Sequence, residues 1–165
     1  MSLKDEIVRV AECKTHPPPN ESCTCEWVIL PLLWKAGYER HEIMSRVSDA
    51  AGKYPDYTIL PGTACTWYLE AKDWNKELQN DQDLFQATNY AHTKGHRWVV
   101  LSNGREWRLY DDHIQGVEAP QRLVAVARLD EDELEQFLTA LGRALGSVRR
   151  VGAIRRKIPL VGHPG

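Results

Sequence analysis

The sequence lacks any apolar run approaching the roughly 18 residues needed to span a bilayer. Its opening residues, Met1-Ser2-Leu3-Lys4-Asp5-Glu6, lack the apolar core and cleavage pattern of a signal peptide. A cytoplasmic location and no membrane partner are therefore expected. Net charge is nearly absent too. With 21 basic against 23 acidic residues the chain carries -2, so no global field attracts nucleic acid and any such site must be a local patch. No internal repeat is visible. Cysteine is scarce: Cys13, Cys23, Cys25 and Cys65, without a secretion signal, read as reduced thiols. Cys13, His16, Cys23 and Cys25 have the residue types of a zinc site, but Cys23 and Cys25 would sit about 200° apart on a helix, which suits idle or buried thiols better.

What is present is ordinary for a folded domain: 42% hydrophobic and 27% charged residues, which exclude wholesale disorder. One domain over residues 1–165 is expected, with a core over about 20–146 and a basic tail over 147–165. A first helix fits residues 3–12. Thr15-His16-Pro17-Pro18-Pro19-Asn20 then breaks the pattern as a stiff linker, a Pro-rich recognition peptide being the other reading. A largely buried apolar helix is expected from about Glu21 to Ala36, closed by Gly37 and kinked or restarted at Pro31.

Strands follow at His41–Val47, at Pro55–Leu60 and through Tyr68–Lys72, the last two joined by a turn at Pro61-Gly62 to make a three-stranded meander. Helical spacing returns from about Leu78 to Lys94 and stops at Gly95. Arg97–Leu101 and Glu106–Tyr110 flank Asn103-Gly104, a hairpin signal because both residues accept positive φ. Leu123–Arg128 reads as a strand at a sheet edge, and Asp130–Leu145 as an amphipathic helix with acids in its first turns. Arg149, Arg150, Arg155, Arg156 and Lys157 form the tail, either solvated or touching phosphate.

Alternation along Tyr68-Leu69-Glu70-Ala71-Lys72 places Glu70 and Lys72 on one face, and antiparallel pairing returns Asp56 beside them. Two carboxylates and a lysine at one strand edge suit phosphodiester hydrolysis with a divalent metal. Hard oxygens hold Mg²⁺, with Mn²⁺ as a substitute, and the ammonium supports developing charge. An ordinary surface salt bridge uses the same residues, so spacing alone does not decide.

The order Pro55-Asp56, then Glu70-Ala71-Lys72, then a crossover helix with Gln86 and Tyr90 resembles the PD-(D/E)XK nuclease superfamily. Tyr68–Lys72, Gln86-Ala87-Thr88-Asn89-Tyr90-Ala91 and Arg97–Tyr110 resemble the N-terminal nuclease domain of type I restriction enzyme motor subunits and its stand-alone relatives. Asn20-Glu21-Ser22-Cys23-Thr24 through Pro31-Leu32-Leu33 and Gly37-Tyr38 resemble the opening helix of that group.

The resemblance implies an α/β restriction-endonuclease-like core, a mixed sheet of about four or five strands flanked by helices. It implies a Mg²⁺-dependent endodeoxyribonuclease in a restriction or phage-defence setting. Asp56, Glu70 and the Ala71 carbonyl would hold the metal, and Lys72 would orient the attacking water or stabilise the phosphate. Gln86 and Glu21 would complete the site, with Tyr90 beside Gln86. Glu21 matches the family's early-helix acid better than Glu26, which is expected on a different side of the helix; the bland alternatives are polar packing for Gln86 and a first-turn acid after the Asn20 cap for Glu21. Lys76 and Arg105 are candidate phosphate contacts or solvated charges. Trp98 and Trp107 are base-stacking platforms or, on paired apolar strands, core residues.

Type I enzymes carry an ATP-driven motor after such a domain; these 165 residues contain no Gly-x-x-x-x-Gly-Lys loop, so ATP use is not expected of them. Expected partners are DNA and either a second copy of the chain or other restriction-system subunits. The competing readings are a non-catalytic DNA-binding or assembly module and an RNA nuclease.

Overall fold

The computed structural model describes residues 1–46, 54–130 and 132–141. Val47, at the end of the first expected strand, the stretch 48–53 that the sequence pattern leaves as a loop, residue 131, the last turn of the closing helix and the basic tail lie outside the described residues. Ser2 opens α1 (Leu3–Ala11) with a reciprocal cap: its hydroxyl accepts from Asp5 N–H while the Asp5 carboxylate accepts from Ser2 N–H. Val10 of this helix is fully buried in the main core.

Asn20 caps the next helical rod by accepting from Cys23 N–H at 2.8 Å. The rod runs as α2 (Glu21–Thr24), a π-helical segment (Cys25–Ile29) and α3 (Leu30–Lys35). Pro31 explains the middle piece. Its ring clashes with the carbonyl four residues back and offers no N–H; the wider π turn makes room, and Leu30 N–H bonds Cys25 O instead. The carbonyl that Pro31 leaves without its helical donor, Trp27 O, accepts from Arg9 Nη2 at 3.2 Å. Arg9 in turn pairs with the buried Glu6 at 2.5 Å. The expected kink is thus a bulge within a continuous rod. Val28, Ile29, Leu32 and Leu33 are buried as expected, whereas Trp27 remains 42% exposed.

Six strands form one sheet in the order β1 (Ile43–Ser45), β2 (Tyr57–Ile59), β3 (Trp67–Ala71), β4 (Trp98–Ser102), β5 (Glu106–Asp111) and β6 (Leu123–Arg128). Neighbours are antiparallel except β3 and β4, which are parallel and connected by α4 (Asp81–Lys94). The chain is therefore α/β with an open mixed sheet. Among the described residues these are the six strands that the sequence pattern gives, one or two more than the resemblance implies, because short β1 and edge strand β6 both pair. β1 is shorter than its expected span: Arg40–Glu42 form a 3-10 turn before it, and Arg46 leaves it with φ 52°. α4 starts at Asp81 rather than Leu78 because Asn80 accepts from Gln82 N–H at 2.8 Å.

β3 and β4 are buried at every position, since helices cover both faces. On one face Trp67, Leu69, Val100, Trp107 and Leu109 meet α1, the rod and α5 (Glu133–Leu141), whose Phe137 lies 6.5 Å from Trp107. On the other, Tyr68, Val99 and Leu101 meet Leu84, Ala87 and Ala91 of α4. Trp98 and Trp107 are core residues, not stacking surfaces.

The β4–β5 hairpin forms where Asn-Gly predicts it, but by different chemistry. Only Gly104 has positive φ, at 82°, while Asn103 Oδ1 accepts from Arg105 N–H and Glu106 N–H. A Cβ at Gly104 would lie 3.1 Å from Val28 Cγ1 and 3.3 Å from Thr24 Cγ2. Gly104→Ala is expected to destabilise the protein by about 1–3 kcal/mol through left-handed strain and overpacking against the rod. A urea midpoint equal to wild type would contradict this.

Candidate active site

Asp56 stands just before β2, whose register pairs Tyr57 with Leu69. The Asp56 carbonyl accepts from Arg46 N–H at 3.1 Å on the β1 side, and toward β3 it is the side chain that pairs: Asp56 Oδ2 accepts from Ala71 N–H at 2.8 Å. A side-chain carboxylate thus satisfies a β3 donor that the neighbouring backbone leaves open. The bond fixes Asp56 against the backbone between Glu70 and Lys72. Those two side chains emerge on the α4 face, where Lys72 Nζ donates to Glu70 Oε1 at 2.9 Å. Lys72 N–H continues the parallel ladder by donating to Ser102 O at 2.8 Å.

Burial dominates the electrostatics. It pushes the Glu70 carboxyl up from 4.5 to about 7, with Asp56 adding to the rise and Lys72 opposing it. Burial also raises Asp56, against the Ala71 N–H, Lys72 and Arg46. For Lys72, burial alone would favour loss of the proton; Glu70, Asp83 and Asp56 outweigh it and the ammonium is held above its ordinary value. Glu21 is exposed at the rim, yet crowding on its protein side and then Asp56 raise it, while Lys72 and Lys76 pull it down.

Glu21, Glu26, Arg46, Asp56 and Tyr57 line one cavity of about 180 Å³. Glu26 was expected elsewhere on the helix. Glu21, Ser22, Cys25 and Glu26 span one arc of about 140° on the rod, and that arc faces the cavity. Cys25 also lines this cavity, but burial pushes its thiol up to about 11, so it stands there as a protonated thiol and not as a thiolate ligand; all four cysteines are free.

The α4 residues fall differently from expectation. Gln86 is exposed and donates to the Tyr90 hydroxyl at 3.3 Å, and Tyr90 is buried against the sheet. The α4 side chain that reaches the Glu70–Lys72 pair is Asp83: its Oδ1 is 3.8 Å from Lys72 Nζ and its Oδ2 is 2.7 Å from Lys76 Nζ, off the hydrogen-bonding direction. Residues 83, 86 and 90 share one helical stripe, which is the signal that could have exposed Asp83. Lys76 is therefore paired rather than merely solvated. Arg105 Nε donates to Trp74 O at 2.7 Å with its guanidinium 5.8 Å from the Trp74 ring, so it secures the loop after β3.

Does the site suit a hard divalent cation? Glu70 Oε2 is buried without a hydrogen-bond partner, an unmet demand on an anionic oxygen. The adjoining donors are oxygens: the Asp56 carboxylate, the Ala71 carbonyl and, at the rim, Glu21. That set fits Mg²⁺ or Mn²⁺ and not a soft metal. Among the described residues, no three His, Cys, Asp or Glu side chains gather into a metal-ligand group. The fit rests on two carboxylates and the backbone. No helix among the described residues is long and apolar enough to cross a membrane. No family model, curated protein or solved structure matches this chain.

The Glu70 shift predicts a pH dependence. Its carboxyl titrates near 7 in the folded state against 4.5 in the unfolded chain, so the folded state binds the extra proton between these values. The corresponding stability is complete below 4.5 and is lost as pH rises through about 7. In EDTA, wild type is expected to lose about 3 kcal/mol across this window relative to Glu70→Gln. Parallel pH profiles of the two proteins in urea unfolding would contradict the assignment.

Proposed function

We propose that the chain is a divalent-metal-dependent endodeoxyribonuclease with a restriction-endonuclease-like core, related to the PD-(D/E)XK nucleases. The observation that supports it most is the convergence of Asp56, Glu70 and Lys72 at the end of β3, with one buried Glu70 oxygen left without a partner. An antiparallel meander leading through a helix into a parallel strand agrees with that reading.

Asp56, Glu70 and the Ala71 carbonyl would hold Mg²⁺, with Glu21 at the rim. When bound, the metal supplies charge neutralisation at the scissile phosphate and makes a water more acidic. Asp56 keeps its carboxylate in place through Ala71 N–H, which removes the need to order it during reaction. Lys72, protonated and nearly enclosed, presents a cation where negative charge grows on the phosphate and where a water must be oriented. Burial keeps these charges out of bulk water and so strengthens their action.

One such centre cuts one strand, so double-strand cleavage requires two copies or another subunit. A restriction or phage-defence setting is part of the proposal, as is independence from ATP. The experiment is incubation of supercoiled plasmid and a matching RNA with purified protein in Mg²⁺, Mn²⁺ and EDTA. Nicking of DNA in the metals and none in EDTA is the expected result. DNA binding without turnover would favour the non-catalytic module, and preferential RNA cleavage would move the substrate class.

A further inference from the structure

We propose that Asp83 is a positioning residue for Lys72: it gives the ammonium a carboxylate partner outside the metal-ligand set, so that Glu70 is released to bind the cation. This rests on the nuclease reading of the site. Lys72 Nζ lies 2.9 Å from Glu70 Oε1 and 3.8 Å from Asp83 Oδ1, so it stands between two carboxylates. With Glu70 alone, the lysine and a divalent cation would compete for the same negative charge, and each would weaken the hold of the other. Asp83 resolves that competition because it reaches Lys72 from α4, away from β3 and Asp56.

Acids are common in a first helical turn, where the dipole favours them. Asp83 does more than that position explains. Its side chain is only 13% exposed, and two lysines converge on it, Lys72 and, at 2.7 Å, Lys76. Glu70, Lys72, Asp83 and Lys76 form a balanced row of alternating charge from the strand to the helix. Removing Asp83 leaves Lys72 with Glu70 as its one paired carboxylate, Asp56 and Glu21 acting at longer range, and Lys72 falls back onto Glu70. Its backbone is fixed independently by the Asn80 cap, which accepts from Gln82 N–H at 2.8 Å, so Asp83→Asn leaves the helix start intact.

The test is a double-mutant cycle read by calorimetric Mn²⁺ binding, with cleavage kinetics as a second readout. In the otherwise wild-type chain Asp83→Asn is expected to weaken Mn²⁺ binding about tenfold and to lower kcat about 30-fold or more, with KM for DNA within about threefold. Asp83→Glu should restore affinity to within about threefold. With Lys72→Met already present, Asp83→Asn should change Mn²⁺ affinity by less than about twofold, because the residue it acts through is gone. Equal weakening in both backgrounds, or no weakening in either, overturns the proposal. Failure of wild type to bind Mn²⁺ overturns the nuclease reading itself, a result distinct from a wild type that binds and cuts while Asp83→Asn behaves the same.

Discussion

Lys72→Met is expected to lower metal-dependent DNA cleavage by about a thousandfold while Mn²⁺ binding is kept or tightened. The two halves follow from one geometry. Lys72 Nζ sits 2.9 Å from Glu70 Oε1 in a nearly enclosed position, where a cation stabilises new negative charge far better than it would in water. Loss of a single such group removes about 4 kcal/mol of transition-state stabilisation, which is the thousandfold. The same substitution leaves Glu70 without the ammonium that competes for its carboxylate, so the cation meets less opposition. Methionine keeps the bulk of the buried stem. Circular dichroism and thermal melting separate lost chemistry from lost fold, and cleavage within tenfold of wild type would remove Lys72 from the mechanism.

Asp56→Asn is expected to fail differently, losing metal affinity by at least about a hundredfold and cleavage by about a thousandfold together. Asparagine preserves the shape and retains an oxygen for Ala71 N–H, so the strand end stays closed. What disappears is a negative charge beside Glu70. Without it the Glu70 carboxyl no longer feels its neighbour and ionises more readily, which offsets part of the lost affinity, but one carboxylate cannot hold a hard dication as two do. Retained Mn²⁺ affinity would show that Asp56 is structural. The contrast between the two variants, binding without cutting against neither, assigns roles that a single activity assay would merge.

Much of this was legible because short-range rules dominate where it lies. Alternation put Glu70 and Lys72 on one face, and the Pro61-Gly62 turn brought Asp56 back, since strand period and turn chemistry are local. The capping of α4 at Asn80 and the π segment at Cys25–Ile29 were not legible: one depends on which of several polar residues wins the cap, the other on how a helix absorbs a proline. Glu26 shares a cavity with Glu21 because 21, 22, 25 and 26 fall on one arc of the rod, a spacing the sequence did carry. Asp83 was hidden for another reason. Its role comes from α4 packing across β3, a tertiary contact, whereas Gln86 drew attention by its place in a motif and instead bonds Tyr90. Arg105 likewise looked like a surface cation until the Trp74 carbonyl claimed it.

The central claim is that Asp56 and Glu70 form one divalent-cation site at the end of β3. It is tested most directly by anomalous diffraction from crystals soaked in Mn²⁺, with Asp56→Asn crystals treated alike. A single strong peak shared by the Asp56 and Glu70 carboxylates in wild type, and missing from the variant, is the predicted result. Saturating Mn²⁺ with no density between these residues, in a protein that still nicks DNA, would contradict it.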